Sequence, residues 1–136
     1  MARSTGTRDV EKQFGRRRLS AAHAYLDQAK RSASSADDEY ARAAAISSAI
    51  LAAIAAADAA CALALGQVWK GDHALAHTLL RKVRGGGDAA KALQRIVGQK
   101  TKVQYLTTSV TAGQLATAIR QAEVVVAFAI DLRSER

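Results

Sequence analysis

Apolar residues recur at helical spacing along nearly the whole chain, and the breaks between these runs divide it into five predicted helices. From about Asp9 to Ala33, Phe14, Leu19, Ala22, Leu26 and Ala29 share one stripe, while Arg16, Arg17, Arg18, Gln28 and Arg31 fall mostly off it. That is the pattern of an amphipathic, basic helix. Ser32 to Ser35 interrupt it, and Ser35 is placed to cap a second helix. Asp37, Asp38 and Glu39 occupy that helix's first turn, where the helix dipole favours carboxylates. From Ala43 to Leu65 almost every position is small or apolar, which predicts the central element of a bundle. The stretch from Ala41 to Gly66 is mostly Ala and contains Ser47, Ser48 and Asp58, so it reads as a buried core helix and not as a membrane span.

Gly66 and Gly71 bracket a turn around Trp69. Asp72 is expected to cap a third helix that turns Leu75, Leu79, Leu80 and Val83 inward and ends on Arg81, Lys82 and Arg84. Gly85, Gly86 and Gly87 stop it. They read as a flexible connector, because the spaced glycines and terminal Lys-Ser/Thr of a phosphate loop are missing. Asp88 is expected to cap a fourth helix running to about Leu106, with Leu93, Ile96, Val97, Val103 and Leu106 toward the core. A fifth begins with Thr111 and Gln114 in a T-x-x-Q capping box, flanked by Val110 and Leu115 as a hydrophobic staple. Its stripe of Leu115, Ile119, Ala122, Val126 and Ala129 is joined by a second one of Val124, Val125, Phe128 and Leu132. Two stripes exceed what one core needs, which predicts a second subunit on one face.

Composition narrows the class. The 136 residues suit one domain, with residues 1–8 a flexible N-terminus and 9–136 a single helical unit. With 32 Ala, no Pro and six aromatic residues, the chain favours long helices over a β-sandwich or barrel, and an all-α up-and-down bundle is expected. The lone Cys61 excludes an intramolecular disulfide, and the first residues lack the apolar core of a secretory signal, so a cytoplasmic protein without membrane attachment is expected. Lys and Arg number 20 against 12 Asp and Glu, a net charge of +8. The surplus sits in residues 1–31 and 67–110, whereas 32–66 is acidic and 111–136 is balanced. Such a balance suits contact with a polyanion.

Few residues suggest chemistry. His73 and His77 have the i, i+4 spacing of a shared metal site, but the Glu of H-E-x-x-H is missing and no third ligand is evident. No metal or other cofactor is expected. Cys61 lies in an apolar helix and reads as a small buried hydrophobe. Asp58 interrupts the same helix, and a buried carboxylate needs a cation or several donors. Arg95, Lys100 and Lys102 are candidates for that role. Lys91, Arg95 and Lys102 fall on one side of the fourth helix, with Gln104 and Tyr105 near its end. A surface that tracks phosphates has this form, Tyr105 being able to stack on a base, and so has a solvated charged face.

The stretch from Ala41 to Val126 resembles a small actinobacterial group of HEPN-domain proteins. The resemblance rests on the Ala-rich helix with its A-A-x-D-A segment ending at Ala59, the G-D-H turn at Gly71 to His73, and the K-x-x-x-x-Y segment from Lys100 to Tyr105 with Ser109 before the last helix. It implies a dimeric helical bundle, often a metal-independent ribonuclease with an R-x4–6-H motif across the dimer interface. In such a site the His transfers protons and the Arg stabilises phosphate charge. Here no His follows His77, so the segment from Arg95 to Tyr105 lacks that pair. The string R-x4-H-x-Y occurs instead at Arg18, His23 and Tyr25 in the first helix, where five residues separate Arg18 and His23 by about 140°.

The leading expectation is therefore a HEPN-like homodimer that binds RNA through basic faces of its first and fourth helices, with a degenerate or absent nuclease motif. One alternative is a metal-independent endoribonuclease of toxin-antitoxin or phage-defence type, using Arg18, His23 and Tyr25. Another is a non-catalytic structural or regulatory module, including one that engages a protein partner encoded in the same operon.

Overall fold

A computed structural model describes residues 6–100, 103 and 109–134. In chain order it contains β1 (Thr7–Asp9), α1 (Lys12–Ala33), α2 (Glu39–Leu65), β2 (Gln67–Trp69), a 3-10 turn at His73–Leu75, α3 (His77–Leu80), α4 (Gly87–Val97) and α5 (Ala112–Ser134). The fold is an all-α bundle, with α1 and α5 packed along α2 and α4 mainly on α5.

Alanine explains the central position of α2. Its side chain loses no rotamer freedom on burial and lets neighbouring backbones approach closely. Twelve of the residues buried on α2 are Ala or Cys, spread around the whole helix, with Ile46, Ile50 and Ile54 among them. The other helices supply the larger core side chains, including Leu19, Leu80, Leu93, Ile96 and Val125. On α1 the buried positions are Gly15, Leu19, Ala22, Leu26 and Ala29, the predicted stripe with Gly15 in place of Phe14. A Cβ at residue 15 would lie 3.0 Å from the Ala62 Cβ and 3.3 Å from the Ala59 carbonyl, so glycine sets how closely α1 approaches α2. By length and mean hydropathy, 2.0 over an 18-residue window, α2 is apolar enough to cross a membrane, yet two thirds of that window is buried by the rest of the fold.

The helix boundaries depart from the periodicity in several places. Asp38, not Ser35, caps α2, its Oδ1 accepting from the Ala41 N–H at 2.8 Å. Asp72 does act as a cap, accepting from the Ala74 N–H at 2.9 Å, but for the 3-10 turn. The expected third helix is thus broken into that turn and a four-residue α3. Gly86, not Asp88, is the N-cap of α4, and Asp88 stands in its first turn. Gly98 closes α4, and Val103 is helical and buried. Gln99 and Lys100 follow Gly98 as described residues, and the rest of the expected continuation to Leu106 lies outside them.

The triple glycine forms a turn in which Gly86 is buried while Gly85 and Gly87 are exposed. Gly85 has φ of +79°, and a Cβ on Gly86 would fall 2.5 Å from the Leu80 carbonyl. Residues 7 and 8, expected to be flexible, instead form a ladder with β2, pairing Thr7 with Trp69 and Arg8 with Val68 antiparallel.

At α5 the capping box is formed as predicted. The Thr111 N–H donates to Gln114 Oε1 at 2.7 Å, and the Gln114 N–H donates to Thr111 Oγ1 at 3.1 Å. Val110 and Leu115 are both buried, and Arg42 Nε donates to the Val110 carbonyl at 2.6 Å, tying the start of α2 to the entry of α5. The second apolar stripe is largely covered within the monomer. Val125 is fully buried, Phe128 and Leu132 pack on the core, and Val124 is left exposed.

Candidate nucleic-acid interface

Asp58 is held by α2 against α1, and its partner is Arg18. Arg18 Nε donates to Asp58 Oδ2 at 3.2 Å, and Arg18 Nη2 lies 3.1 Å from the same oxygen in an ion pair. The Asp58 side chain keeps 19% of its surface exposed, so it is partly rather than fully buried. Burial pushes its carboxyl above the ordinary value, opposed first by the Arg18 guanidinium and then by the charges of His73 and Arg8. Arg95, Lys100 and Lys102 were the candidates by sequence; Arg18 takes the position because α1 runs antiparallel to α2. Gly15 meets Ala62 and Arg18 meets Asp58, a register invisible to local spacing. One turn on, burial and then Asp58 push the Cys61 thiol up to about 12, which leaves it protonated and non-nucleophilic near neutrality.

This pairing bears on the R-x4-H-x-Y string. The Arg18 guanidinium is engaged by Asp58, His23 is exposed, and Tyr25 packs partly against the core. Seven residues bring Tyr25 back to the side of α1 that carries Arg18, whereas His23 projects about 140° away. A single chain therefore groups Arg18 and Tyr25 on one side of the helix and leaves His23 on another.

His73 and His77 do not share a continuous helix, since His73 lies in the 3-10 turn and His77 begins α3. His77 sits 3.5 Å from Arg81, and its pKa is lowered by desolvation and then by that cation. Among the described residues no group of three or more His, Cys, Asp or Glu is arranged to hold a metal.

On α4, Lys91 and Arg95 are exposed opposite the buried Ala89, Ala92, Leu93 and Ile96, and Lys100 is exposed just beyond Gly98. Lys102 and Tyr105 lie outside the described residues. Among those described, only Arg18 and Lys30 form ion pairs, Lys30 with Glu123 of α5 at 2.8 Å. Most of the cation surplus is thus exposed and unneutralised by the protein itself.

Comparison with protein-family models, curated proteins and solved structures finds no match to this chain.

Proposed function

We propose that the chain is a HEPN-like helical module that binds RNA through its unneutralised positive surface, with neither metal nor cofactor taking part. The observation that carries this reading is the near absence of internal ion pairs among the described residues despite a net charge of +8. Cations without protein partners exchange bound counterions for phosphates, and release of those counterions drives association. The separation of His23 from the engaged Arg18 favours binding over cleavage.

The resemblance also implies a homodimer. With the second stripe of α5 mostly covered, Tyr40 and Leu51 on one side of α2 are among the open apolar positions, 64% and 46% exposed, alongside Leu65, Leu75, Val124 and Ile130. Sedimentation at micromolar concentration reads the oligomeric state directly.

The test is binding of a labelled RNA by the full chain across a salt series, with cleavage followed in the presence and absence of EDTA. Affinity that falls linearly on logarithmic axes, without cleavage, is the expected result. Metal-independent cleavage would move the assignment to the ribonuclease, and salt-insensitive or absent binding would move it to the interaction module.

A further inference from the structure

Four segments that are far apart in sequence meet at one end of the bundle around an open cleft of about 1190 Å³. The start of α1 brings Lys12 and Arg16, the turn before α4 brings Lys82 and Arg84, and the end of α5 brings Arg133. All five are exposed, and none forms an ion pair with another described residue. No carboxylate is among the described residues lining the cleft, and its remaining wall is apolar, chiefly Leu63, Leu65 and Leu132.

The ends of α2 and α5 offer an ordinary reason for cations here, because each helix C-terminus carries roughly half a negative charge. Set against the positive N-terminal end of α1, two such ends offset about half a unit of the five, which leaves a surplus of more than about four facing a concave, partly apolar wall. Such walls focus the field and raise the local concentration of anions. The two cations of α4, Lys91 and Arg95, stand instead on the exposed face of a helix. Among the described residues no aromatic side chain lines the cleft, so these residues offer no platform on which bases stack.

Resting on the nucleic-acid reading above, we propose that this cleft, more than the α4 face, seats the ligand, and that it grips the phosphodiester backbone by charge without reading the bases. The probes are labelled oligouridylate and oligoadenylate, with inorganic polyphosphate as competitor, binding to the full chain. Two cleft variants, Lys82→Ala with Arg84→Ala and Lys12→Gln with Arg16→Gln, are compared with Lys91→Ala/Arg95→Ala on α4.

Each cleft pair should reduce the salt slope by about 1.4 and weaken binding about 25-fold near 0.1 M salt, as expected for two single-strand phosphate contacts. The α4 pair should change little, the two oligonucleotides should bind alike, and polyphosphate should compete. Using two pairs from different segments, each with its thermal midpoint measured, separates lost contacts from lost folding. Retained binding by both cleft pairs, a marked preference between the bases, or failure of polyphosphate to compete overturns the proposal while RNA binding itself stands. A wild-type chain with no salt-sensitive binding overturns the function reading instead.

Discussion

Arg18 and Asp58 show how a single contact answers a question the sequence only poses. An isolated acid in an alanine-rich helix is legible as needing a partner, and the structure supplies one forty residues away. Because burial holds the Asp58 carboxyl above its ordinary value, the folded chain binds that proton more tightly than the unfolded chain. Its contribution to stability is full below the ordinary carboxylate range and is lost as pH rises through the folded value. Arg18 limits that loss. Arg18→Met should therefore destabilise the protein by about 1–2 kcal/mol at neutral pH, less than for a fully buried pair because both groups keep some water contact. The gap from wild type should close as pH falls and Asp58 becomes neutral in both, and Arg18→Met/Asp58→Asn should recover most of the loss. Thermal midpoints measured across pH check this, and a pH-independent gap would assign the loss to packing by the Arg18 stem.

At the scale of elements, legibility followed the length of the pattern. The stripes of α1, α2 and α5 are long enough to survive local exceptions, and all three helices lie close to where periodicity puts them. The three-residue strands carry too little alternation to register, and Thr7–Asp9 is a strand through its pairing with β2, distant in sequence. The third helix failed differently: its apolar spacing is helical, but the segment folds as a 3-10 turn at His73–Leu75 followed by the four-residue α3. The start of α5 was legible because both halves of its cap lie within four residues. Thr111→Ala should cost about 1 kcal/mol, and Gln114→Ala less, since the Thr111 N–H it leaves is exposed to water. Chemical denaturation of the two single variants and the double should show them to be non-additive, as reciprocal bonds require. Strict additivity would mean that the two bonds act independently.

Charge is the property that most needs the whole molecule. The counts are plain in the sequence, and the basic segments are too, but the convergence of Lys12, Arg16, Lys82, Arg84 and Arg133 on one cleft depends on which helix ends share an end of the bundle. Helix-by-helix reading therefore located basic faces on α1 and α4 but not the concave surface where α1 meets the turn before α4 and the end of α5. The same distribution sets how the fold responds to salt. A chain with a net charge of +8 and few internal ion pairs repels itself, and screening acts over about 10 Å at 0.1 M ionic strength. Of the two pairs among the described residues, Lys30 with Glu123 is well exposed and contributes little, so added salt has little attraction to weaken and much repulsion to relieve. Raising sodium chloride from about 0.01 to 0.15 M should raise the thermal midpoint by a few degrees, near 1 kcal/mol for a domain of this size. Chloride is the appropriate anion, because sulfate would stabilise by exclusion from the surface as well. Substituting Lys82 and Arg84 with Gln should shrink the salt response if the cleft is where repulsion concentrates, whereas the same change at Lys91 and Arg95 should leave it nearly intact. A midpoint that falls with salt would show attraction to dominate, and the surplus charge would then be neutralised within the fold.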